Sequence, residues 1–447
     1  MKLKIFVAIL LLFVAACGRK ITPLPPDAPQ PLSEIPIDTV PPAAEVLPKT
    51  DTLPPVIVTT DTPAVAIDMP RAVVVGAARL SEYLPLLKDK TIGLVVNQTS
   101  VVHETHLVDT LRSLGVRIRA IFAPEHGFRG TADAGEKIAD GKDPGTGIPV
   151  ISLYGSKRAP SAADLAGVDW ILFDIQDVGT RFYTYISTMH EVMQACANNG
   201  VKCMVLDRPN PNGHYVDGPI LESAQKSFVG MHPVPVVHGM TIGEYARMIN
   251  GEGWLSGGAT CDLTVIPCVH YDHDTPYEIP IKPSPNLPNN RAIYLYPSIC
   301  YFEGTVVSVG RGTDLQFQTI GHPALPEQLY PYRFTPVPKP GAMQPPLLNE
   351  RCNGLNLSLL EPDSLRERRR IDLSYVIEAY RHFPDKGNFF LKTNFFDKLA
   401  GTAQLRAQIV AGKSETEIRT SWNTGLQQFM QIRKKYLLYP DFRPDRF

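Results

Sequence analysis

From residue 91 onward, short apolar runs alternate with stretches of helical spacing, and this alternation restricts the fold more than any other feature. Residues 91–96, 116–123, 148–154, 168–175 and 201–206 read as strands apolar enough to be buried on both faces. Residues 103–114 have helical spacing and end at Gly115, and residues 185–199 read as a helix closed by Gly200. Buried strands separated by helices predict an α/β fold, a Rossmann-like doubly wound parallel sheet with right-handed crossovers. Residues 71–235 are assigned to this domain and 236–447 to a second one that reads less clearly. In the second, helical spacing recurs at 241–250, 374–382, 398–412 and 421–435, and 261–267 alternates like a half-buried strand. Thr241 or its neighbour is the expected cap of the first of these helices, with Glu244 in its first turn. Trp422, Phe429 and Tyr436 are expected in the core.

The first seventy residues belong to no such pattern. A basic start at residues 1–4 and an apolar run at 5–16, too short to span a bilayer, have the shape of a secretory signal peptide (1–16). The run ends Val14-Ala-Ala-Cys17-Gly18, which resembles a bacterial lipobox and makes Cys17 the expected lipidation site. Residues 17–70 are rich in Pro, Thr and Val and are expected to form a disordered, semi-rigid tether. Membrane contact is then through the lipid anchor only, and the folded part is expected to be extracytoplasmic. Gly18-Arg-Lys20 has no acidic run, which points to the periplasmic side.

The chain carries 44 Lys+Arg against 45 Asp+Glu, so no long-range field favours nucleic acid as a partner. Six cysteines remain beyond Cys17, and sequence cannot choose among their 15 pairings. No zinc-ligand spacing stands out and no metal is expected; His270-Tyr-Asp-His273 reads as a solvated turn. Oligomeric state is open.

Open parallel sheets bind ligands beyond the carboxyl ends of their strands, so the strand tips are where chemistry should lie. Asn97 and Gln98 follow the first strand, Glu125 and His126 the second, Tyr154 the third, Asp177 and Arg181 the fourth, and Asp207, Arg208 and Asn210 the fifth. Five polar tips suit a polyhydroxylated ligand. No Gly-x-Gly-x-x-Gly or Walker loop supports a nucleotide. Glu125, just past an apolar strand, sits where a partly buried carboxyl suits proton donation to a leaving oxygen. Glycoside hydrolysis usually needs a second group, for which Glu136, Asp177 and Asp207 are candidates. The structural alternative is that Glu125 caps a turn and the aspartates cap helices. Asp174, inside the strand, is read as a structural hydrogen-bonding residue. Tyr154, Phe182, Tyr183 and Tyr185 are placed to stack on a sugar ring, although Tyr185 could equally start the next helix and pack inward. Pro283-Ser-Pro-Asn-Leu-Pro288 is a rigid loop that either holds Asn286 toward a ligand or simply joins domains. Arg181, Arg208 and Arg311 compete to bind a ligand carboxylate.

Long ordered blocks also match a known family. Phe122-Ala-Pro-Glu-His-Gly-Phe-Arg-Gly130, Asp133-Ala-Gly-Glu136, Asp207-Arg-Pro-Asn-Pro211, Phe302-Glu-Gly-Thr305 and Gly310-Arg-Gly-Thr313 are similar to the NamZ-type exo-β-N-acetylmuramidases, long filed as a domain of unknown function. The similarity runs from about residue 72 to the end. It implies an enzyme that removes terminal, non-reducing β-linked N-acetylmuramic acid from peptidoglycan fragments without a cofactor. It also implies a Rossmann-like domain carrying the cleft, a smaller C-terminal α/β domain closing one side, and Glu125 as the catalytic acid. Val309 stands where an acidic residue is common in the family, which leaves Arg311 and the backbone as the contributors there. The rival functions are a non-catalytic wall-binding lipoprotein and a solute-binding protein.

Overall fold

A computed structural model describes residues 71–125, 127–128 and 141–443. The signal peptide, Cys17 and the tether lie outside these residues, as do the candidates His126 and Glu136.

Among the described residues twelve strands run in chain order: β1 (Thr91–Val96), β2 (Val101–Val102), β3 (Thr105–His106), β4 (Arg117–Ala123), β5 (Gly141–Lys142), β6 (Pro149–Ser152), β7 (Trp170–Asp174), β8 (Lys202–Leu206), β9 (Leu263–Ile266), β10 (Thr319–His322), β11 (Tyr332–Phe334) and β12 (Cys352–Asn356). Seven of them form one sheet in the order β5-β6-β4-β1-β7-β8-β9. All neighbours are parallel except the edge pair β5 and β6. Counting only the parallel strands, the order is third, second, first, fourth, fifth, sixth, that of a dinucleotide-fold sheet, with its switch point between β1 and β7.

Both faces of the central strands are covered, which is why β1, β7 and the carboxyl-terminal halves of β4 and β8 are almost continuously apolar rather than alternating. Val95, Phe122, Phe173 and Val205 point into one core layer, and Leu94, Ile121, Leu172 and Met204 into the other. The helix Tyr185–Asn199 covers one side and stops at Gly200, which takes the left-handed conformation expected of a helix-ending glycine. Thr241 caps the helix Ile242–Gly251 in a reciprocal box with Glu244.

The boundaries shift in four places. β9 completes the main sheet, so the first layer system extends beyond residue 235. The expected helix at 103–114 is shortened to Leu107–Ser113, because a turn at His103, with φ of 55°, pairs β2 with β3 first. The stretch 398–412 is two helices, Phe395–Ala400 and Gln404–Val410, broken at the left-handed Gly401. The last helix begins earlier, at Glu415, where Ser414 and Glu417 form a capping box. The second part adds an antiparallel sheet, β10-β12-β11, that no sequence pattern announced.

The six described cysteines are all free thiols and buried. His273 is not solvated: its ring is buried with Nε2 3.1 Å from Glu244 Oε1, held where the C-terminal segment returns at Leu438. Among the described residues there is no metal-ligand cluster, and no helix is long and apolar enough to cross a membrane.

Candidate active site

A cavity of about 200 Å³ opens beyond the carboxyl ends of β4 and β7. Glu125 enters it from the turn after β4, and Phe182, Tyr183, Thr184 and Tyr185 enter from the segment after β7. The opposite wall comes from the second half of the chain: Asn286, Tyr296, Glu303, Arg311 and Phe395.

Glu125 is half-buried, and Thr184 donates its hydroxyl hydrogen to Glu125 Oε2 at 3.0 Å. Burial, and next the Glu125 charge, push the Tyr185 phenol well above its ordinary range, so it stays a neutral donor. Tyr183 and Tyr185 pack edge to face with centroids 4.9 Å apart. Both phenols donate to the carbonyl of Pro283, at 2.9 and 3.4 Å, and Gln98 Nε2 donates to the same oxygen at 3.1 Å. Three donors on one carbonyl latch the proline-rich loop to the strand tips. Asn286, in that loop, lines the cavity and anchors itself by donating to the Gly341 carbonyl.

Glu303 and Arg311 form the second charged feature. Arg311 Nε and Nη2 both reach Glu303 Oε1, at 2.9 and 2.6 Å, and the guanidinium lies over the Phe317 ring. Burial disfavours the cation, but Glu303 outweighs it and raises the Arg311 pKa. Nη1 makes no hydrogen bond among the described residues, and Arg311 lines the cavity. Val309 is buried beside this pair and contributes packing.

Several candidates lie elsewhere. Asp207 is fully buried, and its carboxylate accepts from Arg208 N, Gly243 N, Thr241 and Tyr439, which makes it a clamp on the start of the helix Ile242–Gly251. Burial pushes its pKa up to about 6. Arg208 makes a two-pronged ion pair with Asp174, at 2.6 and 2.9 Å, and is buried. Asn210 is used by Met240 and Asn212, and packs so tightly on Gly179 that a Cβ there would come within 2.2 Å of it. Asn97 turns the chain after β1 and holds the Tyr185 hydroxyl at 3.0 Å, so it supports the wall without forming it. Arg181 is sealed from solvent and bonds only to carbonyls. Tyr154 is half-buried beyond β6 and does not line the cavity. Asp177 is buried, accepts from Gly179 N at 2.6 Å and does not line the cavity; burial pushes its pKa up to about 7.

Sequence reasoning passed over Glu303 and Thr184. Thr184 carries no signal beyond its place among aromatic residues. Glu303 sits in the Phe302-Glu-Gly-Thr305 block, but it meets Glu125 only through folding of the second half against the first.

Residues 92–291 match the family described as the N-terminal part of the exo-β-N-acetylmuramidase NamZ, and 294–439 its C-terminal part. The chain belongs to the NamZ family. It is 40% identical over 378 residues to the peptidoglycan β-N-acetylmuramidase NamZ of Bacillus subtilis (strain 168), covering 80% of this chain and 89% of that one. Two DUF1343-family proteins of Bacteroides fragilis NCTC 9343 share the fold: one at 48% identity and a TM-score of 0.76, covering 83% of this chain and all of that one. The other has 28% identity and a TM-score of 0.69, covering 82% and 99%. The two NamZ segments meet at residues 291–294, downstream of β9, in keeping with the sheet extending past residue 235.

Proposed function

We propose that this NamZ-family chain is an exo-acting glycoside hydrolase that releases terminal, non-reducing β-linked N-acetylmuramic acid from peptidoglycan fragments. The observation that carries the reading is one small cavity in which Glu125 shares the walls with aromatic rings and a fixed Glu303–Arg311 pair. Its volume suits one sugar ring rather than a run of them, as removal of a terminal residue requires.

In this reading Glu125, oriented by Thr184, delivers a proton to the departing glycosidic oxygen. Tyr183 and Tyr185 border the pyranose, and Asn286 meets its polar substituents. The free edge of Arg311 takes the lactyl carboxylate that distinguishes muramic acid from glucosamine, and Glu303 holds the guanidinium at the right angle. The test is to incubate the purified protein with a chromogenic β-N-acetylmuramide and its glucosaminide counterpart. Turnover of the first alone is expected, whereas saturable binding without product from either would favour the wall-binding alternative.

The lipobox-like sequence at Val14–Gly18 supports placement as a lipid-anchored protein outside the cytoplasm, facing the periplasm. Fractionation of the wild type and Cys17→Ala in cells fed a labelled fatty acid tests this; label retained in the variant would reject it.

A further inference from the structure

Arg181 is a cation with 0% exposure that has no ion pair among the described residues. Nη1 donates to the carbonyls of Pro219 and Val234, at 2.9 and 2.7 Å, and Nη2 to that of Leu399 at 3.0 Å. Nε has no partner. Sealing an unpaired guanidinium in a core is costly, and an apolar side chain of similar size would usually serve stability as well or better. Something other than stability must therefore be gained from those three carbonyl bonds.

One of these bonds, from Nη2 to Leu399, joins the two walls of the cavity, and the two from Nη1 anchor the guanidinium to the segment between them in sequence. Arg181 directly precedes Phe182, Tyr183, Thr184 and Tyr185, which form one wall, and its own backbone N–H is tied to Val236 O at 2.8 Å. Leu399 lies in the helix Phe395–Ala400, whose first residue, Phe395, belongs to the opposite wall. Room for the guanidinium is made by Gly401, with φ of 77°, where a Cβ would come within 2.4 Å of Nη2. The first wall comes from the segment matching the N-terminal family part, and Leu399 and Gly401 from that matching the C-terminal part.

We propose that Arg181 is a positioning residue that sets the spacing between the Phe182–Tyr185 wall and the Phe395 helix, and thereby the fit of the sugar, without touching it. The inference rests on the muramidase reading for its assay. A purely structural role would lower the folded fraction, and with it the apparent kcat, while leaving KM alone. A positioning role moves KM in the protein that remains folded.

The experiment measures kcat and KM on the β-muramide for wild type, Arg181→Met and Arg181→Lys, each normalised to folded protein by its melting transition. Arg181→Met is expected to raise KM about tenfold with a smaller change in kcat, and Arg181→Lys to recover part of the loss. Unchanged KM, with kcat per folded protein also unchanged, overturns the proposal. If Arg181→Met does not fold, Gly401→Ala, which crowds the guanidinium from the other side, must reproduce the KM rise; an unchanged KM there overturns it equally. A wild type that binds N-acetylmuramic acid but turns nothing over rejects the enzymatic reading instead. Calorimetric binding in the same variants then decides the positioning role, with weakening of about tenfold expected and unchanged affinity overturning it.

Discussion

The hydroxyl of Thr184 lies 3.0 Å from Oε2 of Glu125, joining the segment after β7 to the turn after β4 across the switch point of the sheet. Oε2 accepts this one neutral donor, and in the proposed mechanism Oε1 is the oxygen that delivers the proton. The bond fixes the orientation of the proposed acid, so the carboxyl and its partner can be removed separately.

Replacing Glu125 with Gln keeps the shape and the Thr184 contact but removes the acid. Turnover of the muramide should fall by about 100-fold or more, the usual range for loss of a positioned general acid, with melting temperature unchanged. Thr184→Val should cost about tenfold in kcat and little in KM, because the acid is present but less well aimed. Near-normal turnover in Glu125→Gln would exclude it as the proton donor.

Arg311→Ala removes a guanidinium that lines the cavity. Loss of a charged hydrogen bond of about 2–3 kcal/mol should lower kcat/KM for the muramide by roughly 30- to 150-fold. Any residual activity on the glucosaminide, which lacks the carboxylate, should be little changed. Equal losses on both substrates would show that Arg311 does not read the lactyl group.

The Asp174–Arg208 pair is buried at both ends, with side-chain exposures of 0% and 3%. Asp174→Asn leaves an uncompensated guanidinium in the core and should destabilise by about 3–5 kcal/mol in urea denaturation. Replacing both residues, as Asp174→Leu with Arg208→Met, should recover much of that loss. A single variant as stable as wild type would mean that the pair contributes little.

Acid should destabilise the fold. Burial holds His190 at about 4, His232 at about 2, and His214 and His238 at about 3, all below the unfolded value of 6.5. The unfolded chain therefore takes up protons first as pH falls through 6.5, and stability drops until the folded values are reached. Asp177, at about 7, and Asp207, at about 6, act in the opposite sense, since their folded forms bind protons that the unfolded chain releases. Four histidines outweigh two aspartates, so the net loss should be on the order of 1–3 kcal/mol per pH unit between about 6.5 and 5. Melting curves at several pH values check this; a melting temperature that is flat or rises toward acid would contradict it.

Strand and helix identity were legible where burial is dictated locally. The runs at 92–96 and 170–173 carry no polar side chain because parallel strands are covered on both faces, and the helix Tyr185–Asn199 ends where Gly200 permits a left-handed turn. The small sheet β10-β12-β11 was not legible. Its strands contain Gly321 and Gly354, and its pairing joins Thr319 to Asn356 across a long separation.

Sequence alone determined five strands of the main sheet, the place to look for a ligand, and Glu125 as a carboxyl at a strand tip, since each follows from periodicity and the rule of strand ends. It also supplied the blocks that resemble the family. Tertiary structure alone decided which of the polar tips face the cavity. Asp207, Arg208 and Arg181 are as polar in sequence as Glu125, yet they are consumed by Tyr439, Asp174 and Leu399, partners 34 to 232 residues away. Glu303 and Arg311 reached the site from the second half of the chain by the same long-range packing. A side chain's role depends on whether its hydrogen-bonding capacity is spent on the fold or left open to a ligand, and that balance is struck between distant residues only once the chain has closed.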